Sequence, residues 1–332
     1  MVECAFDVAA VGNAIVDILA HAEDALLAEI GVAKGVMTLI DSDQADQIYR
    51  RLPPAIECSG GSAANTVAGI ASLGGKAAFI GKVKDDQLGA VFRHDLTSQG
   101  VAFSTRPAND GPSTARCMVM VTPDAQRTMQ TYLGAAVELS PEDVDAAMIA
   151  SAQVTYLEGY LWDPPEAKKA MLKAAAAARQ AGRKVALSLS DPFCVNRHRG
   201  EFLGLINDHI DILFANEAEI TALYETDLDT ALRQVRGAVE LAAVTRGAMG
   251  SMAVRGGQTV VVDAESVQRL VDTTGAGDLY AAGFLYGLTR NRELGDCARL
   301  GGICAAEIIS HMGSRPETDL AQLIADAAFL TV

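Results

Sequence analysis

Residues 272–278 combine the residue types needed to bind a phosphate and to move a proton. They read Asp-Thr-Thr-Gly-Ala-Gly-Asp and run directly into the apolar, helix-patterned segment 279–288. Gly275 and Gly277 let backbone N–H groups turn toward an anion, and the positive end of the following helix dipole points to the same place. Asp278 stands where that anion would arrive, which suits a base that takes a proton from an attacking hydroxyl. The plainer alternative is a glycine-rich turn with Asp278 as a helix cap.

A second glycine pair opens another predicted helix, in residues 59–66, which read Ser-Gly-Gly-Ser-Ala-Ala-Asn-Thr. The small residues Gly60 and Gly61 let a ligand approach the backbone. Asn65 can donate and accept hydrogen bonds at once, which suits a sugar diol. Close helix packing through the alanines is the alternative.

The first strand of the chain ends in a further polar pair. Residues 6–11 form a short apolar run, closed by Gly12 and followed by an extended segment at 13–18. Residues 13, 15 and 17 share one face of a strand, so Asn13 and Asp17 can both point at a ligand, with Ile15 between them. A turn asparagine and a solvated aspartate would explain the same pattern.

The elements that must position these residues alternate regularly between strand and helix along the chain. From residue 154, apolar strands at 154–161, 184–189 and 210–215 alternate with predicted helices at 165–181, 199–207 and 217–225. This alternation predicts a parallel sheet covered on both faces. Residues 1–332 are expected to form a single α/β domain with about eight or nine parallel strands. Later elements are a hairpin at 251–262 and helices near 279–290, 294–311 and 318–330.

In combination and in order, these motifs resemble the PfkB-type carbohydrate and nucleoside kinases of the ribokinase family, most closely the adenosine kinase branch. The family signature is Asp-Thr-x-Gly-Ala-Gly-Asp, and residues 272–278 match all its fixed positions in the last quarter of the chain. The resemblance implies a three-layer αβα core with a small discontinuous β lid. It also implies an ATP- and Mg²⁺-dependent kinase that phosphorylates a primary hydroxyl.

The resemblance also implies roles for individual residues. Asp278 would be the catalytic base, and the amides of Gly275, Ala276 and Gly277 would form an anion hole for the transferring phosphoryl group. The motif positions implied to hold the acceptor are Asn13, Asp17, Gly60, Gly61 and Asn65. Those implied to contact the nucleotide are Asn216, Thr245, Arg246, Gly247, Gly250 and, from the lid, Arg127.

Metal positions follow from the same resemblance. Asn216 and Glu219 match the family's Asn-x-x-Glu motif, which suits an indirect magnesium and water network, although helix acids that complement the dipole are the alternative. Asp272, Thr274 and Gly313 would flank a monovalent-cation site, such as one for K⁺, which is optional in the family.

Four strand-like segments fall outside this alternation of strands and helices, and they are expected to form the lid. They lie near 15–20, 36–40, 114–121 and 127–133, so the lid would come from segments of about 13–41 and 101–135. The last two segments are joined by residues 122–126 and read as a hairpin. In the family such a lid covers the acceptor and excludes water.

Composition and residue spacing argue against several other classes of protein. The net charge of −15 in 332 residues argues against nucleic-acid and anionic-membrane partners, which require basic patches. Six scattered cysteines show no metal-type spacing, and no long apolar stretch or leader pattern is present, so a soluble, cytoplasmic protein is expected. Gly81-Lys82 does not complete a Walker motif, and the first βα turn does not match a dinucleotide-binding fingerprint.

The acceptor is the less determined part of the hypothesis. Apolar candidates for the wall of a purine site are Ile15, Met37, Met129 and Tyr160. They resemble adenosine kinase more than ribokinase, because a bare sugar does not need apolar walls. A kinase acting on ribose, fructose or a sugar acid is the alternative, and a non-catalytic nucleoside-binding protein is an alternative of another class. A monomer or a homodimer is expected.

Overall fold

Two β-sheets and the helices packed on them make up the computed structural model, which describes residues 4–124 and 126–326. The strands in that part of the chain are β1 (Phe6–Val11), β2 (Ile15–His21), β3 (Met37–Leu39), β4 (Ile56–Gly60), β5 (Ala77–Ile80), β6 (Ala115–Val121), β7 (Arg127–Tyr132), β8 (Ala152–Glu158), β9 (Lys184–Ser188), β10 (Ile212–Asn216), β11 (Leu241–Thr245), β12 (Ser251–Arg255) and β13 (Gln258–Val262). The α-helices are α1 (Asp24–Ile30), α2 (Ser42–Tyr49), α3 (Ser62–Ser72), α4 (Gln87–Ser98), α5 (Ala146–Ala150), α6 (Pro165–Gln180), α7 (Pro192–His209), α8 (Glu217–Tyr224), α9 (Leu228–Ala238), α10 (Ala276–Thr289), α11 (Leu294–Ile308) and α12 (Leu320–Asp326).

The larger sheet is mostly parallel and has helices on both faces. Its strand order is β13-β12-β11-β10-β9-β8-β1-β5, in which β12 and β13 are antiparallel. Alternate residues of β1 enter different cores: Val8 and Ala10 pack with α3 and α10, whereas Ala9 and Val11 pack with α6. This alternation is what a sheet buried on both faces requires. It confirms the predicted three-layer αβα arrangement.

The parallel part of this sheet is smaller than predicted. Across the described residues, β5, β1, β8, β9, β10 and β11 are parallel, whereas about eight or nine parallel strands were expected. The hairpin predicted at 251–262 supplies the two antiparallel strands at one edge. Hairpin strands run in opposite directions, so they extend the sheet without continuing its parallel pattern.

The second sheet has the order β3-β7-β6-β2-β4, and these strands are called the small sheet here. It contains all four segments expected for the lid, and β4 joins it as an additional edge strand that the sequence interpretation did not include. Asp17 on β2 pairs with Cys58 on β4 and with Cys117 on β6. The small sheet is therefore assembled from parts of the chain that are distant in sequence.

Several element boundaries differ from expectation for local reasons. The predicted strand 154–161 stops at Glu158, and Gly159–Trp162 forms a 3₁₀ turn. The helix predicted at 199–207 is preceded by a short helical segment that begins at Pro192 and is capped by Asp191, which accepts a hydrogen bond from the Cys194 N–H. His198, with the non-helical angles φ −121° and ψ 17°, forms a kink between the two parts of α7. The helix predicted at 318–330 is observed at Leu320–Asp326, and residues 327–332 lie outside the described part of the chain.

Within residues 4–124 and 126–326, no helix has the length and apolar character needed to cross a bilayer.

Candidate active site

The first turn of α10 borders a cleft, and its Ala276 N–H makes only a long hydrogen bond, at 3.4 Å, to the Thr273 carbonyl oxygen. Gly275 is the N-cap and has a left-handed φ of 80°, which glycine adopts without strain. A Cβ at that position would lie 3.2 Å from the Cβ of Ser314. The first-turn amides of a helix have no intrahelical acceptor, and the helix dipole adds positive potential there. Ala276 and Gly277 thus lie where the sequence predicted an anion hole, and both line the cleft.

Asp278 lies in this first turn and is held by two side chains of α3. The Ser62 hydroxyl donates to Oδ1 at 2.6 Å, and the Asn65 amide donates to Oδ2 at 2.8 Å. Burial raises the pKa of Asp278, while these two hydrogen bonds and the charges of Arg315 and Arg127 act in the opposite direction. Each carboxylate oxygen keeps a lone pair, so Asp278 can accept one further hydrogen bond from a ligand hydroxyl.

A cavity of about 290 Å³ lies between the small sheet and the start of α10. Ile15, Met37 and Met129 from the small sheet form an apolar wall, and Tyr160 adds an aromatic ring. Asp17, Asn65 and Asp278 supply polar groups in the same cavity. It is called the enclosed cavity here only to distinguish it from the groove described below, because both are partly open to solvent. All four predicted apolar wall residues line it, as do Asn13, Gly61 and Arg127.

The position of the Asp17 carboxylate depends on the absence of a side chain at Gly60. A Cβ at Gly60 would lie 2.2 Å from Oδ2 of Asp17, so only glycine leaves room for the carboxylate. Asp17 is 7% exposed, and its Oδ2 accepts a hydrogen bond from the Ser314 hydroxyl at 3.2 Å. Burial raises the pKa of Asp17 to about 6, against the opposing charge of Arg315. Gly60 thus shapes the cavity indirectly, because it borders Asp17.

Asn13 is held by a buried acid at the end of β8. Its side-chain amide donates to Oε1 of Glu158 at 2.6 Å, and the Ala63 N–H donates to Oε2 at 2.9 Å. Glu158 thereby links the loop after β1 to the start of α3. Gly61, with a φ of 92°, completes this junction, because a Cβ there would lie 2.3 Å from the Asn13 carbonyl oxygen.

A larger, more open groove of about 790 Å³ runs from Asp278 along the ends of β10 and β11. Among the residues that line it are the predicted nucleotide positions Asn216, Thr245, Arg246 and Gly247, together with Arg127 and Glu219. Asn216 and Glu219 form a reciprocal capping box at the start of α8: the Glu219 N–H donates to Oδ1 of Asn216 at 2.8 Å. Burial raises the pKa of Glu219 to about 7.

Arg127 connects the small sheet to the loop before α10. Its Nη1 donates to the Thr273 hydroxyl at 2.9 Å, and the side chain borders both the enclosed cavity and the open groove. Arg127 therefore lies at the boundary between the two spaces, and its contact with a phosphate stays a prediction.

Asp272, Thr274 and Gly313 lie together, and hydrogen bonds connect them. The Oδ1 of Asp272 accepts from the N–H and the hydroxyl of Thr274, and Oδ2 accepts from the Gly313 N–H at 3.0 Å. Asp272 is fully buried. Protein donors thus already occupy both oxygens, which favours a role in bracing the loop over a role as a cation ligand.

Gly250 differs from the other predicted nucleotide residues. The lining of the open groove includes Thr245, Arg246 and Gly247 but not Gly250. Gly250 has a φ of 78°, and a Cβ there would lie 2.0 Å from the Val262 carbonyl oxygen. The glycine is required by the tight turn between β11 and β12, so its predicted contact with a nucleotide is not supported.

Three residues of the site were missed by the sequence interpretation. Ser62 lies inside the quoted 59–66 motif, where its position at the first turn of α3 was an available signal. Glu158 is an acid at the end of an apolar strand, and such strand ends meet ligands in α/β folds. Arg315 has no comparable local signal, because only the tertiary structure brings it to Asn65.

Comparisons with known proteins agree with this geometry. The chain matches the pfkB family carbohydrate kinase model over residues 56–320. The structure is similar to that of adenosine kinase from Sinorhizobium meliloti, with a TM-score of 0.93, 53% identity and coverage of 97% of this chain and 99% of that chain. A probable sugar kinase from Rhizobium etli CFN 42 gives a TM-score of 0.94 and 50% identity over 98% and 99% of the two chains.

Two relatives in sequence are kinases as well. Adenosine kinase from Saccharomyces cerevisiae is 26% identical over 326 residues, covering 91% of this chain and 94% of that protein. An uncharacterized sugar kinase from Archaeoglobus fulgidus is 29% identical over 252 residues, covering 74% of this chain and 96% of that protein. These relatives are kinases, and the family match covers most of the chain. The protein is thus a kinase that phosphorylates an alcohol group, and it belongs to the pfkB family of carbohydrate kinases.

Proposed function

We propose that this kinase transfers the γ-phosphoryl group of ATP to the 5′-hydroxyl of adenosine or a related nucleoside. The observation that carries the proposal is the position of Asp278, which borders both the enclosed cavity and the open groove. An acceptor in the first and a nucleotide in the second would meet at this carboxylate. A base must lie within hydrogen-bond reach of the proton that it removes, and a carboxylate at the border of the two spaces supports that role.

The enclosed cavity supports a nucleoside over a bare sugar. Its apolar wall of Ile15, Met37 and Met129 suits the faces of a purine, whereas Asp17 and Asn65 suit ribose hydroxyls. The similarity to the S. meliloti adenosine kinase supports the same acceptor.

The open groove fits a nucleoside triphosphate through the chemistry of its donors. The first-turn amides at Ala276 and Gly277, the helix dipole and the Arg127 guanidinium converge where a γ-phosphate would lie. Within the described residues, no group of three or more His, Cys, Asp or Glu side chains is placed to hold a metal ion. Mg²⁺ usually keeps several waters and binds substrate phosphates, so Glu219 fits an indirect role. When bound, ATP and Mg²⁺ supply the phosphoryl group and offset its negative charge.

In this proposal, each of these residues of the site has a specific role. Asp278 accepts the proton of the 5′-hydroxyl, while Ser62 and Asn65 hold its two oxygens in place. The amides at the start of α10 donate to the charge that accumulates on the transferring group. We propose that the small sheet acts as the lid of a single kinase domain and that Arg127 links its closure to the loop before α10. Closure would exclude water, which would otherwise compete as an acceptor.

A sugar kinase is the second candidate, and the 50% identity to a probable sugar kinase from R. etli favours it specifically. A screen separates the two. ADP formation with ATP and Mg²⁺ is measured across purine nucleosides, pyrimidine nucleosides, pentoses, hexoses and sugar acids. Adenosine should give the highest kcat/KM. Turnover of sugars alone would refute the nucleoside assignment, and binding of adenosine without any ATP consumption would identify a non-catalytic binding protein.

Asp278→Asn tests the base. Asparagine keeps the size of the side chain but cannot accept the proton, so kcat should fall by about 10² to 10⁴-fold. The KM for ATP and the binding of adenosine, measured by calorimetry, should change little. Near-normal turnover in this variant would contradict the assignment of Asp278 as the base.

A further inference from the structure

The segment 313–315, which follows α11, touches three separate parts of the site. The Gly313 N–H donates to Asp272 in the loop before α10. The Ser314 hydroxyl donates to Asp17 on β2. Arg315 donates to Asn65 on α3 and to Ser59 on β4. One short segment thus joins the phosphate side of the site to the acceptor side.

The guanidinium of Arg315 is anchored on a second hydrogen-bonded side chain. Its Nη2 and Nε donate to the Ser59 hydroxyl oxygen at 2.9 and 3.2 Å. Ser59 in turn donates from its hydroxyl and its N–H to Oδ2 of Asp95 on α4, at 2.6 and 2.7 Å. The fork of the guanidinium therefore has a fixed direction, because the acceptor that holds it is itself held on β4 and α4.

This anchoring decides which way the Asn65 amide points. Arg315 donates to Oδ1 of Asn65, so the amide must present Nδ2 to Asp278, as observed at 2.8 Å. The opposite orientation would place Oδ1 against the Asp278 carboxylate and the NH₂ group against the guanidinium. Both contacts would be repulsive, so Arg315 excludes that orientation.

Arg315 also offsets the negative charge around the acceptor. Its positive charge acts on Asp17 and Asp278, two carboxylates on opposite sides of the enclosed cavity. The other charged groups that face Asp278 are Arg127, Asp17, Glu158 and Glu219. Tyr156 and Tyr160 also interact with Asp278. Arg127 is therefore the second cation that acts on the base, and it comes from the small sheet.

We propose that Arg315 is a positioning residue for phosphoryl transfer: it fixes the Asn65 amide, and through that amide the carboxylate of Asp278, and it supplies a positive charge on the acceptor side of the site. The proposal rests on the proposed role of Asp278 as the base. Arg315 reaches the reaction only through Asn65 and through its charge.

Two substitutions separate orientation from charge. Arg315→Met removes both, whereas Arg315→Lys keeps the charge but loses the planar fork. Arg51→Met, which breaks an exposed ion pair with Glu29, is the matched control. Steady-state kinetics are measured across pH 5 to 9, at saturating ATP, with whichever alcohol the wild type phosphorylates best. This choice keeps the experiment valid even if adenosine is not the acceptor.

Both Arg315 variants should lose kcat, by about 10 to 100-fold, because a small misplacement of the base is costly. The KM for ATP should stay within about twofold of the wild type. A base must be deprotonated, so kcat rises with pH through the pKa of Asp278. Loss of a positive charge raises that pKa. The acid limb of the kcat profile should therefore move to higher pH in Arg315→Met and stay close to the wild-type position in Arg315→Lys.

Ser59→Ala gives a milder test that does not depend on the stability of Arg315→Met. It removes the anchor of the fork and leaves the charge, so kcat should fall with an unchanged acid limb. The proposal is overturned if Arg315→Met is folded, as judged by circular dichroism, and keeps the wild-type kcat and the wild-type position of the acid limb of its kcat profile. An equal loss of kcat in both Arg315 variants with no shift of either limb would reduce Arg315 to a structural residue. A fully active Asp278→Asn enzyme would instead refute the proposed base.

Discussion

Glu158 illustrates how burial controls a single carboxylate beside the enclosed cavity. It is 1% exposed and accepts hydrogen bonds from Ala63 and Asn13. Burial raises its pKa to about 7, because desolvation outweighs the hydrogen bonds that favour the ionised form. Its pKa in the folded state is thus above the ordinary value of 4.5, so protonation favours the folded state.

The variant Glu158→Gln should remove this dependence on pH. In the wild type, the stabilising contribution is fully present below about pH 4.5 and is lost as the pH rises through about 7. The free energy of unfolding of the wild type relative to the variant should therefore fall across this window, by at most about 1.4 kcal/mol per pH unit. Urea unfolding at a series of pH values measures the difference.

Asp17 and Glu219 also have raised pKa values, but they are present in both proteins, so the comparison isolates Glu158. Parallel stability curves for the wild type and the variant across the window would show that Glu158 does not titrate there.

At the scale of the element, the proposed anion hole of α10 depends on the conformation of the first residues of the helix. Gly275 allows the chain to enter the helix through a left-handed conformation, and the amides that follow then face the open groove. A side chain at this position is opposed by backbone strain and by Ser314, whose Cβ would lie 3.2 Å away. The direction of the amides is thus coupled to the segment 313–315.

Gly275→Ala should therefore damage catalysis more than stability. The strain of a left-handed non-glycine residue is about 1 kcal/mol, which should lower Tm by only a few degrees. A shift of the amides should lower kcat by about tenfold or more, since loss of one anion-hole donor costs about 10² to 10³-fold. Gly257→Ala is the control, because a Cβ there meets nothing within 4 Å. Equal kcat in the two variants would argue against an anion hole at this turn.

At the scale of the whole molecule, the two sheets meet at the site. The small sheet contributes Asp17, Met129 and Arg127 to the enclosed cavity, and the larger sheet places α10 and Asp278 opposite them. The hydrogen bond from Arg127 to Thr273 connects the two sides. The proposed closure of the small sheet would bring an arginine to the phosphates and remove water in one movement.

Arg127→Gln should weaken this coupling. The KM for ATP should rise several-fold, and some ATP should be hydrolysed by water, because closure no longer brings a cation to the phosphates. The measurement is the ratio of ADP released to acceptor phosphorylated. Arg233→Gln, at an exposed arginine of α9, is the matched control. A ratio of one in both variants, with an unchanged KM for ATP, would contradict the role of Arg127.

Features that depend on neighbouring residues were predictable from the sequence. The glycines and the apolar run of residues 275–288 predict a turn that opens a helix, and α10 begins at Ala276. The alternation of apolar strands and helices predicts the covered parallel sheet. Because these signals lie within one or two turns of the chain, local conformational preference and periodicity are sufficient to detect them.

Features that depend on distant contacts were decided only by the tertiary structure. β4 contains Cys58, Ser59 and Gly60, which have no strand periodicity, and it becomes a strand by pairing with β2. Gly250 resembles a ligand-binding glycine in sequence but serves a tight turn. Arg315 reaches Asn65 across 250 residues of sequence, so no local pattern could reveal it. The sequence alone therefore determined the reaction class, whereas the tertiary structure decided which side chains hold the Asp278 carboxylate, because that depends on residues that meet only in the folded chain.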